Sequence, residues 1–167
     1  MKETHACTLA TLATLACSPM ATPRARLIAI RRLCRLLSQE REALYDELLA
    51  LRRQANKLRT FLPFTAERLD DLKWQEAVLG DDLDGIELRL ANIGRVLMGS
   101  SKRMTKAIGF DGLCDLLNIN PAHRETARRA GHSTLTKLAY ACQEDSADRH
   151  DEVWKDRPLF NALHAAR

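Results

Sequence analysis

The sequence predicts an all-α protein: a long antiparallel helical hairpin, similar to a coiled coil, followed by a small bundle of short C-terminal helices. Two stretches place apolar residues at alternating gaps of three and four, the pattern of a helix that packs on another helix. The 167 residues include only five prolines and seven glycines, so few positions break a helix. Charged residues make up 29% of the chain and hydrophobic residues 46%, which excludes disordered and membrane-spanning classes.

The first apolar series predicts a helix from about Pro23 to Phe61, interrupted only by Arg41. Its members are Leu27, Ile30, Cys34, Leu37, Leu44, Leu48, Leu51, Ala55, Leu58 and Leu62. A second series follows Pro63, with Glu76 as its one polar member. Its apolar members are Leu69, Leu72, Leu79, Leu83, Ile86, Leu90, Ile93 and Leu97. Together the two series predict the hairpin over residues 22–98.

An antiparallel pairing of the two series fixes the position of the bend. Pairs such as Leu48 with Leu79 and Ala55 with Leu72 are all centred between Pro63 and Phe64. Proline cannot continue a helix, and Thr65 is a suitable N-cap for the second one. This register puts Arg41 opposite Ile86 and Glu76 opposite Leu51, so the two polar residues do not face each other. The alternative is that both series are core faces of a compact helical domain.

Several large apolar side chains lie off the seam of this hairpin. On the second helix they are Trp74, Val78 and Leu88, and two helices alone would leave them exposed. We therefore expect the C-terminal helices, a second copy of the chain or a protein partner to cover them. Self-association through the hairpin makes an oligomer.

The net charge of +4 is unevenly distributed along the chain. Residues 22–59 carry +6 and residues 60–98 carry −4, which favours pairing of the two hairpin helices with each other. Residues 102–137 carry +4 and residues 138–167 carry −2. Pairing of the two hairpin helices does not account for the positive charge of the stretch from Lys102 to Lys137.

Residues 1–21 are predicted to be a poorly structured N-terminal segment that contributes little to the fold. Ala6 to Cys17 has the length of a signal-peptide core, but Glu3 offsets Lys2 and threonines dilute the apolar run. A translation start at Met20 is another interpretation. The five cysteines include no Cys-x-x-Cys pair, which favours a reducing compartment and hence a cytoplasmic location.

The stretch Gly99-Ser100-Ser101 is predicted to end the second helix, with a helical C-terminal region at 99–167. Lys102 to Lys106 then begins a short basic helix. Segments 133–143 and 158–163 are predicted to form two further core helices.

Residues 112–131 resemble a helix-turn-helix. Leu113, Leu116 and Leu117 would lie on a first helix with Cys114 in its small-residue position, Asn118 in the left-handed turn and Asn120-Pro121 opening the second helix. The segment departs from the motif at Arg124, where a bulky apolar residue is usual, and at the small Ala127. The resemblance implies base contacts by the early residues of the second helix and phosphate contacts by nearby cations. The residues concerned are Asn120, Ala122, His123 and Arg124 for bases, and Lys102, Arg103, Lys106, Arg128 and Arg129 for phosphates.

No arrangement of residues predicts catalysis, a metal site or a cofactor. Cys114, His123, His132 and Cys142 are spaced by nine or ten residues, without the close ligand pairs of zinc modules. No nucleotide-binding or nucleophile-elbow motif occurs. We expect a non-enzymatic protein without cofactor, membrane partner or small-molecule substrate.

Two functions remain open at this point. The first is association with nucleic acid through the basic C-terminal helices, as a regulator or a helical subunit of a nucleoprotein assembly. That association could also be sequence-independent, through the same arginines. The second is a coiled-coil adaptor or inhibitor that binds a partner protein through the apolar surface of Trp74, Val78 and Leu88.

Overall fold

The computed structural model describes residues 2–59, 66–119, 121–139 and 157–166, and these are helical apart from short connections. The fold class predicted from the sequence is confirmed, with a long helical hairpin followed by short helices. The hairpin helices are α2 (Pro23–Arg59) and α3 (Ala66–Ile108). The others are α1 (Lys2–Cys17), α4 (Phe110–Leu116), α5 (Pro121–Arg129), α6 (residues 135–139) and α7 (Arg157–Ala165).

The chain forms two compact units. The first, here called the composite unit, combines Met1–Leu36 with Leu90–Arg167, and the second, the hairpin unit, is Leu37–Arg89. Helices α2 and α3 each contribute one part to either unit. This division differs from the predicted boundary between residues 98 and 99, because the short C-terminal helices pack on one part of the hairpin helices.

The hairpin unit has the register that the sequence indicates. Ala55 on α2 and Leu69 and Leu72 on α3 form one buried cluster, with Leu51 and Leu58 packed against it. The two polar seam residues are satisfied across the helices, since Arg41 Nη1 lies 2.9 Å from Glu87 Oε1 and Arg52 Nε lies 2.7 Å from Glu76 Oε1. Each therefore pairs with the immediate neighbour of its predicted seam partner. The predicted bend at Pro63 and the cap at Thr65 lie outside the described residues.

Helix α3 continues beyond the predicted end at Gly99. The hydroxyl of Ser100 donates to the Val96 carbonyl and that of Thr105 to the Ser101 carbonyl, so both polar side chains are satisfied within the helix. Ser101 and Met104 are buried, and this packing outweighs the cost of a mid-helix glycine, about 1 kcal/mol. The helix ends instead at Ile108, and the next residue, Gly109, has a positive φ of 79°, which favours glycine.

The N-terminal segment, expected to be poorly structured, forms helix α1. Alanine and leucine favour helix, and two threonine hydroxyls are satisfied within the helix. Thr11 donates to the Cys7 carbonyl and Thr14 to the Ala10 carbonyl, each at 2.9 Å. Arg26 Nε donates to the Ala16 carbonyl at 2.9 Å, which places a cation at the negative end of the α1 dipole.

In the composite unit, the short helices contact α3 closely. Gly94 lies so near α7 that an added Cβ would be 1.9 Å from the Ala162 carbonyl oxygen. Helix α6 begins on two hydroxyls of α3: Leu135 N donates to Thr105 Oγ1 at 3.1 Å and Thr136 N donates to Ser101 Oγ at 3.2 Å. As predicted, the core helices bury Leu135, Leu138 and Leu163, and Leu159 is buried as well.

Candidate nucleic-acid interface

The basic group of Lys102, Arg103 and Lys106 lies on the last turns of α3, and not at the start of a separate helix as the sequence had indicated. Ser101 and Met104 on the same turns are buried, which fixes the rotation of the helix. All three basic side chains are exposed. None of them makes an ion pair with any residue in the described part of the chain.

The segment that resembles a helix-turn-helix consists of α4, a short turn and α5. Asn118 adopts the left-handed conformation predicted for it, with φ of 59°, and Ile119 N donates to the Cys114 carbonyl at 2.8 Å. Leu113, Cys114 and Ile119 are buried. Burial raises the pKa of the Cys114 thiol, with the nearby Arg124 opposing the shift, so this cysteine is a neutral core residue.

Arg124 replaces the apolar contact that the motif normally places between its two helices. Its Nε donates to the Ile119 carbonyl at 2.9 Å and its Nη2 lies 2.7 Å from Asp115 Oδ1, which joins α5 to the turn and to α4. The side chain is only 26% exposed. Arg124, predicted as a base-contacting residue, is thus held by protein groups.

The other predicted residues of α5 are distributed differently. Arg128 lies 3.0 Å from Asp111 Oδ1 and stacks over the Phe110 ring at 4.9 Å. Arg129 Nε lies 3.0 Å from Glu125 Oε1, and both arginines remain exposed. His123 is half-buried, while Asn120 lies outside the described residues. The structure therefore keeps Arg128 and Arg129 at the surface, with carboxylates that partly neutralise them.

Basic charge is concentrated in the composite unit. The bounds of this unit differ from the segments over which charge was counted along the sequence. Met1–Leu36 and Leu90–Arg167 hold 18 basic and 10 acidic side chains, whereas Leu37–Arg89 holds 8 and 12. Residues 144–156, outside the described part, contain six of those ten acidic side chains. The described residues of the composite unit hold 15 basic and only 4 acidic side chains.

This distribution corrects the expectation that pairing of the hairpin helices accounts for their charge. In the hairpin unit, α2 carries +1 and α3 carries −5, so the helices are complementary there. In the composite unit, residues 23–36 carry +5 and residues 90–108 carry +4, with no acidic side chain in either range. Like charges repel, so this unit has a surplus that favours an anionic partner.

The predicted partner-binding residues lie on an exposed face of α3. Trp74 is 69% exposed, Leu88 is 59% exposed and Val78 is 39% exposed. Their spacing of four and ten residues puts them on one side of the helix, and we call these three residues the apolar stripe. Asp71 and Asp81 occur at the same helical phase, so acidic groups accompany the stripe.

Comparisons with protein-family models, with curated proteins and with solved structures gave no match for this chain. No set of three or more His, Cys, Asp or Glu side chains in the described ranges is arranged to hold a metal ion. Among the same residues, no helix combines the length and the hydropathy needed to cross a bilayer.

Proposed function

We propose that this protein is a non-enzymatic nucleic-acid-associated protein that binds the phosphate backbone through its composite unit. The observation that carries the proposal is the charge surplus of that unit, which holds 18 basic against 10 acidic side chains, with no acidic side chain in residues 23–36 and 90–108. A surface of this kind attracts polyanions because each neutralised phosphate releases a counterion.

The last turns of α3 supply three exposed cations that make no ion pair with the described residues. Lys102 and Lys106 are four residues apart and Arg103 lies between them, so all three reach the same side of the helix. To bind a phosphate, these side chains do not have to break an ion pair with any described carboxylate, whereas Arg124 and Arg128 do. Arg128 and Arg129 would have to give up contacts with Asp111 and Glu125, so we assign them a smaller share of the affinity.

Replacing Lys102, Arg103 and Lys106 together by alanine should weaken binding to random-sequence duplex DNA and reduce its salt dependence. If all three contact phosphates, the slope of log affinity against log salt falls by about 3 for duplex and by about 2 for a single strand. Fluorescence anisotropy at several salt concentrations between about 50 and 200 mM measures both quantities.

The matched control replaces Arg53, Arg68 and Arg89 of the hairpin unit, which are exposed and make no ion pair among the described residues. This variant removes the same charge, and its salt slope should stay near that of the wild type. Absence of binding by the wild type at about 50 mM salt, or equal losses in the two triple variants, would contradict the proposal.

The exposure of the apolar stripe favours a second candidate function, an adaptor that associates with a second copy of the chain or with a protein partner. Three large apolar side chains on one helix face bury surface favourably when another helix packs on them. The acidic residues at the same phase, Asp71 and Asp81, would select a partner helix with basic flanks.

For this candidate, sedimentation equilibrium should detect concentration-dependent dimers that persist at high salt. Replacing Trp74 and Leu88 by serine should abolish them, because burial of these side chains supplies the association free energy. The exposed Gln75, replaced by serine, is the control on the same helix. A monomer at every concentration would exclude self-association and leave the nucleic-acid proposal unaffected.

A further inference from the structure

A groove lined by three arginines lies beside the helix-turn-helix-like segment, and none of the three is among the residues predicted from the sequence to bind a ligand. It has a cavity volume of about 460 Å³, between the N-terminal part of α2 and the end of α4, all within the composite unit. Arg31, Arg32 and Arg35 line it together with Ile28, Asp115 and Leu116. A volume of this size is within the range of small-ligand sites.

Arg31 holds the two walls of the groove together. Its guanidinium donates to the carbonyl of Leu116, the last residue of α4. That carbonyl is one of the acceptors that a helix leaves unsatisfied at its C-terminus. The groove is therefore formed by a defined contact between residues that are 85 positions apart in the chain.

The groove has cations available for a ligand. Arg32 and Arg35 are exposed, lie three residues apart on the same side of α2 and make no ion pair with the described residues. The one acidic lining residue, Asp115, is already 2.7 Å from the Arg124 guanidinium. The net charge of the lining is thus positive, and none of the described carboxylates pairs with Arg32 or Arg35.

Apolar surface accompanies these cations. Ile28 is 51% exposed, and Leu27, Leu36 and Leu116 complete the wall. A guanidinium binds two phosphate oxygens at once, and both its plane and an aliphatic side chain can pack on a flat base. A ligand with a phosphate ester next to an apolar or aromatic body satisfies both parts of this lining.

We propose that this arginine groove binds one nucleotide unit, with its phosphate on Arg32 and Arg35 and its base or sugar against Ile28 and Leu116. The proposal deepens the proposed function and rests on it in one respect, since a strand of nucleic acid is one of two sources of that unit. A free nucleotide is the other, and the experiment separates them.

The test measures binding of a labelled oligothymidylate by anisotropy and of free thymidine monophosphate by calorimetry. It compares the wild type with Arg32→Glu/Arg35→Glu, and with Arg32→Lys/Arg35→Lys, which keeps the charge but removes the bidentate geometry. The matched control, Arg53→Glu/Arg68→Glu, makes the same charge change on exposed arginines of the hairpin unit. Because all four arginines are exposed, the variants should retain the wild-type circular dichroism.

We expect the glutamate pair to reduce oligothymidylate affinity roughly 10- to 100-fold, because it removes charge-assisted hydrogen bonds. The lysine pair should lose about 3- to 10-fold, and the control should stay within about twofold. If the wild type binds the mononucleotide but no oligonucleotide, and the glutamate variant loses mononucleotide affinity, the groove is a nucleotide site and the proposed function is wrong. If the glutamate variant binds the oligonucleotide as tightly as the wild type does, the groove is not a nucleotide site, and the proposed function is unaffected.

Discussion

Replacing Gly94 by alanine should lower the free energy of unfolding by about 2–3 kcal/mol, although alanine favours helix more than glycine does. The new Cβ would lie 1.9 Å from the Ala162 carbonyl oxygen and 2.7 Å from the Ala166 Cβ. The first of these atoms belongs to the backbone of α7, which cannot rotate away as a side chain can. Helix α7 must therefore shift away from α3, which opens the packing around Leu159 and Leu163.

Gly99 offers a control on the same helix and in the same unit. No atom lies within 4 Å of a Cβ built there, so Gly99→Ala should raise stability by roughly 0.5–1 kcal/mol. Urea denaturation followed by circular dichroism measures both variants. If Gly94→Ala proved as stable as Gly99→Ala, the close approach of α3 and α7 would be refuted.

Removing the two hydroxyls that begin helix α6 should also be strongly destabilising. Thr105 Oγ1 accepts from Leu135 N and Ser101 Oγ accepts from Thr136 N. Ser101→Ala and Thr105→Val leave these backbone donors without their acceptors in a largely buried position, at a cost of about 1–3 kcal/mol each. Because both hydroxyls serve the same helix, the double variant should show coupling between the two changes.

Two controls isolate the hydrogen bonds from other effects of substitution. Thr105→Ser keeps the acceptor and should retain most of the stability that Thr105→Val loses. Ser100→Ala removes a hydroxyl whose contacts, with the Val96 carbonyl and the Met104 sulfur, both lie within its own helix, so its effect should stay within about 0.5 kcal/mol. Thermal denaturation compares the four single variants and the double variant. Equal stability of Thr105→Val and Thr105→Ser would show that α6 does not depend on this hydroxyl.

The sequence predicts those features that depend on residues close in the chain or on a regular period. The alternation of apolar residues predicts α2, α3 and the register in which Ala55 packs with Leu69 and Leu72. Local turn chemistry likewise predicts the left-handed Asn118 and the start of α5 at Pro121. In both cases, a few neighbouring residues determine the backbone geometry.

Features that depend on distant partners could not be predicted in this way. The continuation of α3 past Gly99 is one such feature, because the burial of Ser101 and its contact with Thr136, 35 residues away, leave no local pattern. The ion pair of Arg124 with Asp115 is another, because it forms only when α4 and α5 are both in place. The arginine groove depends in the same way on the contact of Arg31 with Leu116.

The composite unit is discontinuous in the chain, and this affects how the protein is made. Its first 36 residues precede the 53 residues of the hairpin unit, and ribosomes add roughly 5–20 residues per second. Leu27, Ile30 and Leu33, which are buried in the complete unit, are therefore made about 3–11 s before synthesis of its second part begins. During that interval the nascent chain presents an apolar, arginine-rich helix, a segment that chaperones or anionic surfaces could engage before folding is complete.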